Sequence, residues 1–490
     1  MGKIFNGLRP FQKAELLIMM LLAFAIPIHW LAAQYCEVAL LLCAVLKVVF
    51  EQRFKPNRRQ MKFKWAYIIF AMTWLAYLVG MIHTENQAVG WAQVSKKLGF
   101  LIFPLIFMFS DMSYLNRDRI RAIFYCLVAS TLVFFLFNFV WALYDVIIKG
   151  MGTTRMFNYG LMKLYYVHHS YMAMYVMLAM VFCVVEIFEQ ESSKLKIFNS
   201  IAVVLLMVFV FLLESRAGLL FMILEIIVLW VWITFVKKKK RFGMISLGAV
   251  AAILIMLGVA APDVYSRLAN TVRNLTSENR TDRRLVQLKG CVSVIENNWM
   301  TGVGTGDRSD EILASFVRYR DNIVEEIVPL KDIDNQEFKE KRRVLLQKMM
   351  EVSNYDGYNE PNEAMLALVE QSEEYGCDIE SVRKTAVKYL YIENAIYFEL
   401  NTHNQYVDVI ISVGIAGLLL LLAYFLIPLV LWIKTKRFDI IYFSFLFMIG
   451  FNALFESVFE VQMGIIFFCF FNVLLFGEVF VSEKSIKITE

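Results

Sequence analysis

The sequence is short of charge. Asp, Glu, Lys and Arg make up 19% of the 490 residues, against about 25% in a soluble domain. Hydrophobic residues make up 59% and come in blocks, which excludes a soluble enzyme and a disordered chain. Also missing is the apolar–polar alternation in segments of about ten residues that an outer-membrane barrel requires. There is no internal repeat and no low-complexity tract. Histidine is scarce: His29, His83, His168, His169 and His403 are the only five. Their spacing is not that of a zinc site, and they read as interfacial polar residues. The first apolar run lacks a clear small-residue cleavage site and reads as an uncleaved signal anchor.

What is present is a series of apolar runs of about 20 residues, each able to cross a bilayer core about 30 Å thick as a helix. Twelve spans are expected, at 14–33, 35–50, 65–82, 98–110, 122–148, 170–188, 197–213, 217–236, 242–261, 406–433, 440–455 and 458–481. The fourth is short and contains Pro104, so a kink or an incomplete crossing is expected there. Loop charge supports the count. With the N-terminus inside, seven cytoplasmic segments hold 24 of the 49 Lys and Arg, and the five short outer loops hold 6. That is the bias expected of short cytoplasmic loops. Both termini are then cytoplasmic.

One long stretch, 262–405, lies outside the apolar runs, on the periplasmic side of a bacterial inner membrane by this topology. It holds 25 acidic and 18 basic residues. Segments 337–352 and 380–400 have helical apolar spacing, and 354–362, with Gly357 and Pro361, reads as a loop. The expected fold is an all-α polytopic bundle of about 12 spans with a helical periplasmic cap. Its parts are residues 1–261 (spans one to nine), 262–405 (the cap) and 406–490 (spans ten to twelve and a short cytoplasmic tail). Five of the seven cysteines fall in spans. Cys291 and Cys377 fall in the cap, where either a disulfide or two free thiols fit the compartment.

Candidate chemistry gathers at outward helix starts. In Glu214-Ser215-Arg216-Ala217-Gly218, Ser215 can cap a helix opened by Arg216. Free N–H groups, the helix dipole and a guanidinium fork together favour phosphate there. A snorkelling arginine is the competing reading. In Asn279-Arg280-Thr281-Asp282-Arg283-Arg284, Thr281 or Asp282 can cap, leaving Arg283 and Arg284 in the first turn against the dipole. That conflict suits a site waiting for an anion; a headgroup-contacting face is the alternative. In Asn401-Thr402-His403-Asn404-Gln405-Tyr406, Thr402 can cap, and His403 stands at the mouth of a span, as a neutral base or donor or as a bystander. Gly302-Val303-Gly304-Thr305-Gly306-Asp307 reads as a tight turn, not a dinucleotide loop. Inside spans the clear charges are Lys47, near enough to the inner end to snorkel, and Glu225, with no designated partner.

The pattern resembles the O-antigen ligase and polymerase superfamily of bacterial inner-membrane proteins, most of all O-antigen ligase. The resemblance rests on Ser215-Arg216-Ala217-Gly218, and on Arg284-Leu285 leading to Asn298-Trp299 and the glycine turn. It also rests on His403-Asn404-Gln405-Tyr406 with Gly414 and Gly417, and on Glu456-Ser457 with Glu460 to Gly464. It covers roughly 197–481. Two positions depart from the family pattern: Leu288 stands where the family has tryptophan, and Trp299 where it has proline. The resemblance implies a GT-C-like, inverting, metal-independent glycosyltransferase without a cofactor. It would move a glycan from undecaprenyl diphosphate to the lipid A-core on the periplasmic face. Arg216 and Arg284 would hold the diphosphate and His403 would serve the acceptor hydroxyl. Arg280, Arg283, Ser215, Asn404 and Tyr406 would line the substrate site. Membrane lipids are the other expected partners, and no nucleic acid. A polymerase or a protein O-oligosaccharyltransferase using the same donor is the nearest alternative. A secondary transporter fits worse, because the halves are unlike and the polar motifs sit at the surface.

Overall fold

The computed structural model describes residues 2–51, 58–163, 167–244, 283–330, 335–352, 362–398 and 401–481, with single positions between 248 and 255. Among these residues there is no strand, and one isolated bridge joins Pro329 to Cys377. Nine helices among them are long and apolar enough to cross a membrane: Trp30–Phe50, Gln60–His83, Gln87–Phe109, Arg117–Ile147, His169–Glu189, Ser193–Leu212, Ala217–Val236, Gln405–Thr435 and Gln462–Val481. Pro10–Ala25 and Ile440–Asn452 are shorter. The protein is all-α and polytopic. Most of the expected span at 242–261 and nearly all of the expected loop at 354–362 lie outside the described residues.

Local chemistry moves two boundaries and supplies two partners that periodicity does not give. The first apolar run does not continue to residue 33. It stops at Ala25, because Pro27 has no N–H with which to extend the ladder, and the next helix starts at Trp30. Within Gln87–Phe109 the break falls at Lys97–Leu98 rather than at Pro104, which sits inside Gly99–Phe109. The turn lets the Lys97 ammonium reach Glu460 at 3.2 Å. Lys47 does not snorkel; it is buried and pairs with the buried Glu15 at 2.8 Å. A lone charge in the bundle is costly, and pairing offsets the cost. Glu225 also has a partner, the Ser444 hydroxyl, which donates to it.

The two most enclosed spans are Gln462–Val481 and His169–Glu189, 89% and 83% buried over their apolar windows; Trp30–Phe50, at 33%, faces outward. Phenylalanine fills the centre. Phe467, Phe468, Phe470 and Phe471 are fully buried. Phe468 meets Tyr424 at 4.9 Å and stacks on Phe445 at 6.0 Å between ring centres, separations at which aromatic pairs attract.

Above one end of the bundle, helices Arg283–Gly290 to Ile379–Tyr397 form two apolar layers. The lower gathers Val286, Cys291, Val294, Ile312 and Phe316 around Ile411 of a span. The upper gathers Leu345, Met349, Met365, Val382 and Tyr389. Helix Ile379–Tyr397 supplies residues to both. Cys291 and Cys377 fall in different layers and are free thiols, so the disulfide alternative does not hold.

The layers are locked to the bundle by glycine. Gln405–Thr435 is interrupted at Val413 and Gly414, where Gly414 takes φ 66° and ψ −163°. The turn 299–304 fills the gap: Val303 N–H donates to Ile411 O (2.7 Å), Gly304 N–H to Ser412 O (3.2 Å), and Ile415 N–H to Trp299 O (2.8 Å). The turn expected around Gly302 is present, with Gly302 at φ 73°. A Cβ there would stand 2.5 Å from Ser412 C, so only glycine admits this approach.

Candidate functional site

Helices Ile440–Asn452 and Gln462–Phe476 are joined by a short turn that carries Glu456, Ser457 and Glu460. Glu456 is 5% exposed and accepts from three separate elements. Arg284, in the first turn of Arg283–Gly290, reaches Oε1 at 2.8 Å. Ser170, in the first turn of His169–Glu189, donates to the same oxygen at 3.0 Å. His403 Nδ1 stands 3.5 Å from Oε2. Burial would raise the carboxyl pKa. The His403 hydrogen bond and the charges of Arg284, His168 and His403 outweigh it and hold Glu456 down at about 2.

His403 is placed by strain. Its φ is 49°, the left-handed region that a non-glycine residue adopts at a cost. Its N–H is fixed by Asn401 Oδ1 at 3.0 Å. The helix behind it is capped by Asn404, not by Thr402: Asn404 Oδ1 accepts from Tyr406 N and Val407 N at 3.1 Å. Thr402 instead bonds to the Asn404 backbone. Asn404 caps because it directly precedes the helix that starts at Gln405, two positions nearer to its free N–H groups than Thr402. Tyr406 donates its hydroxyl to Gly450 O at 2.9 Å.

Two histidines join this cluster. His168 stacks on His169 at 4.4 Å and lies 3.4 Å from the Tyr159 hydroxyl. The Nδ1 atoms of both rings are buried without a protein partner among the described residues. Burial holds the His168 pKa below the usual value, against the pull of Glu456. The histidines are therefore not all scattered interfacial residues, since His168, His169 and His403 converge near one carboxylate.

Ser215 caps the helix that Arg216 opens, accepting from Gly218 N at 3.2 Å. That helix start abuts the one bearing Ser170: a Cβ on Gly218 would stand 2.9 Å from the Ala173 methyl. Arg283 opens Arg283–Gly290. Arg280 lies outside the described residues. The motifs at Ser215–Arg216, Arg284 and His403 thus meet at one end of the bundle, with Glu456 between the last two. Glu456, Ser170 and His168 are not candidates by sequence spacing. The only signals for them were the Glu456-Ser457 pair before the last span and the His-His pair before another.

A second polar group lies alongside. Arg308 reaches Asp408 at 2.7 Å and Glu460 at 3.1 Å, and Lys97 reaches Glu460 at 3.2 Å, all nearly out of contact with solvent. Arg308 and Lys97 hold the Glu460 carboxyl below its usual pKa although burial pushes it up. Asp307 accepts from Glu85 N (2.8 Å) and Asn86 N (2.7 Å), fixing the same loop to the start of the span at Gln87.

Residues 201–338 match the sequence model of the O-antigen ligase family. Over this stretch the chain is similar to the O-antigen ligase family. A comparison with curated proteins finds no match. The matched stretch takes in Ser215, Arg216, Arg280, Arg283, Arg284 and the glycine turn, and stops short of His403 and Glu456. This match supports a ligase- or polymerase-type function in lipopolysaccharide biosynthesis. In general terms it implies a lipid-linked glycan donor and a lipid A-core acceptor.

Proposed function

We propose that this protein is an O-antigen ligase that transfers a glycan from undecaprenyl diphosphate to the lipid A-core on the periplasmic face of the inner membrane. The observation that carries the reading is Glu456, which ties Arg284 and His403 into one site at the start of three helices. Glu456 accepts from His403 Nδ1–H and so leaves Nε2 as the acceptor of a proton. The acceptor hydroxyl gives that proton to Nε2 as its oxygen attacks C1 of the donor sugar. The C1–O bond to the diphosphate breaks with inversion, and undecaprenyl diphosphate leaves. Arg284 and Arg216 meet the charge that develops on the leaving group. The free N–H groups at the Ser215-capped helix start add to that pull. Ser215, Arg280 and Arg283 belong to the donor side and Asn404 and Tyr406 support the His403 turn. With guanidinium groups in this role the reaction is metal-independent, and chelator should leave the rate unchanged. The residues before 262 and after 405 form the bundle, with both termini cytoplasmic, and the cap holds the acceptor near attack geometry.

The test is a null strain complemented with wild type, Arg284→Ala or His403→Ala and examined by lipopolysaccharide gel. Loss of the O-chain ladder with accumulation of long lipid-linked glycan in the null and both variants is expected. A core carrying a single repeat would instead mean a polymerase, and an unchanged gel a protein O-oligosaccharyltransferase or another acceptor.

A further inference from the structure

A cleft of about 430 Å³ opens on the cap, lined by none of the residues around Glu456. Four of its lining side chains are basic: Arg320, Lys339, Arg342 and Arg343. Asp321 lines it as well, and the buried ring of Tyr389 closes one side. The volume is in the range of small-ligand sites.

The charges are arranged against local stability. Lys339, Arg342 and Arg343 stand at i, i+3 and i+4 of helix Asn335–Val352, so three like charges share one face and repel. The same helix pairs Glu337 with Lys341 at 2.8 Å. It has carboxylates to place and puts none opposite this face. Among the described residues no carboxylate lies within ion-pair distance of Lys339, Arg342 or Arg343, whereas Arg320 is held by Glu393 and Asp321, each at 3.0 Å. The Arg342 guanidinium is steadied over the Phe338 ring at 5.6 Å. All this sits in a stretch, 262–405, with more acidic than basic residues, so the cleft inverts the surrounding potential and focuses it. Guanidinium forks facing a cleft match oxyanions.

We propose that this cleft binds an anionic saccharide, a sugar bearing phosphate or carboxylate, at a site separate from the transfer centre. The anion preference stands on the cleft alone; that the ligand is a sugar rests on the proposed glycan transfer. The experiment uses full-length protein in neutral phosphatidylcholine nanodiscs, titrated with glucose 6-phosphate, glucuronate, glucose and inorganic phosphate. At least one anionic sugar should bind saturably and more tightly than inorganic phosphate, and glucose should not bind. Arg342→Gln/Arg343→Gln should weaken binding about tenfold or more, as expected for losing charge-assisted hydrogen bonds, with an unfolding temperature equal to or above that of wild type. Arg284→Ala should leave this binding intact, which separates the cleft from the transfer site. Equal affinity in wild type and the double variant, or no binding of either anionic sugar, overturns the proposal. Inorganic phosphate binding as tightly as the sugars removes the saccharide. Binding to phosphatidylglycerol vesicles that the double variant loses, without sugar binding, reassigns the anion to a lipid headgroup and also overturns it.

Discussion

Glu456 is held by three donors from three helix starts, and its charge is what orders them. Replacing it with glutamine keeps its shape, removes the anion, and no longer dictates which nitrogen of His403 carries the proton. Positioned acid–base groups contribute about 10²–10⁴-fold to rate. Glu456→Gln should therefore lower kcat by about 10²-fold while donor KM moves little, measured with lipid-linked glycan in detergent. The sign of the pH effect follows from the depressed carboxyl. Its folded pKa of about 2 lies below the ordinary 4.5, so its stabilising contribution is complete above about pH 4.5 and fades as pH falls towards 2. Wild type should lose unfolding temperature across that window by an increment that Glu456→Gln lacks. A glutamine variant with the same acid profile would refute the pairing. None of this is visible along the chain, since Glu456 lies 53 residues from His403 and 172 from Arg284.

At the scale of elements, the informative contact is the glycine turn in the broken helix. Backbone groups freed by a break within the bundle need partners, and the turn at 299–304 supplies them. Gly302→Ala would set a methyl against Ser412 C, and Gly414→Ala would set one 2.2 Å from Met300 O. Both also force alanine to positive φ. Each should cost about 1–3 kcal/mol for the backbone alone, with the clash in addition, read as a fall in unfolding temperature. Gly152→Ala, at φ −61° with only Thr154 Oγ1 at 3.7 Å, should be neutral. The sequence announces a turn here because glycines recur, and periodicity announces the helix. That they interlock is a tertiary fact. The same holds for the break at Lys97, which the proline signal misplaces because the pull of Glu460 acts across space.

At the scale of the molecule, the cap is not a loose appendage. Arg308 joins a cap helix to two other segments through Asp408 and Glu460, and Lys97 adds a third. Removing one member strands buried charge, at about 3–5 kcal/mol for broken buried pairs. Arg308→Met should lower the unfolding temperature and speed protease cleavage within 283–398. Asp408→Asn added to Arg308→Met should restore part of the loss, because it removes the stranded anion. A fully additive second loss would mean that the group is not coupled.

The sequence by itself determined that this is a helical membrane protein, and it set a long stretch, 262–405, apart from the apolar runs. Apolar length and the sign of loops are local quantities, and hydrogen-bond satisfaction in lipid leaves no other spanning form for such runs. It also marked Arg216, Arg284 and His403, because helix starts and basic clusters are written in short stretches. The tertiary structure decided which of these marks share a centre. Glu456, Ser170 and His168 become neighbours of Arg284 and His403 only when four distant segments pack. Lys47 and Glu225 find Glu15 and Ser444 the same way, since the partner of a buried charge is fixed by packing rather than by spacing.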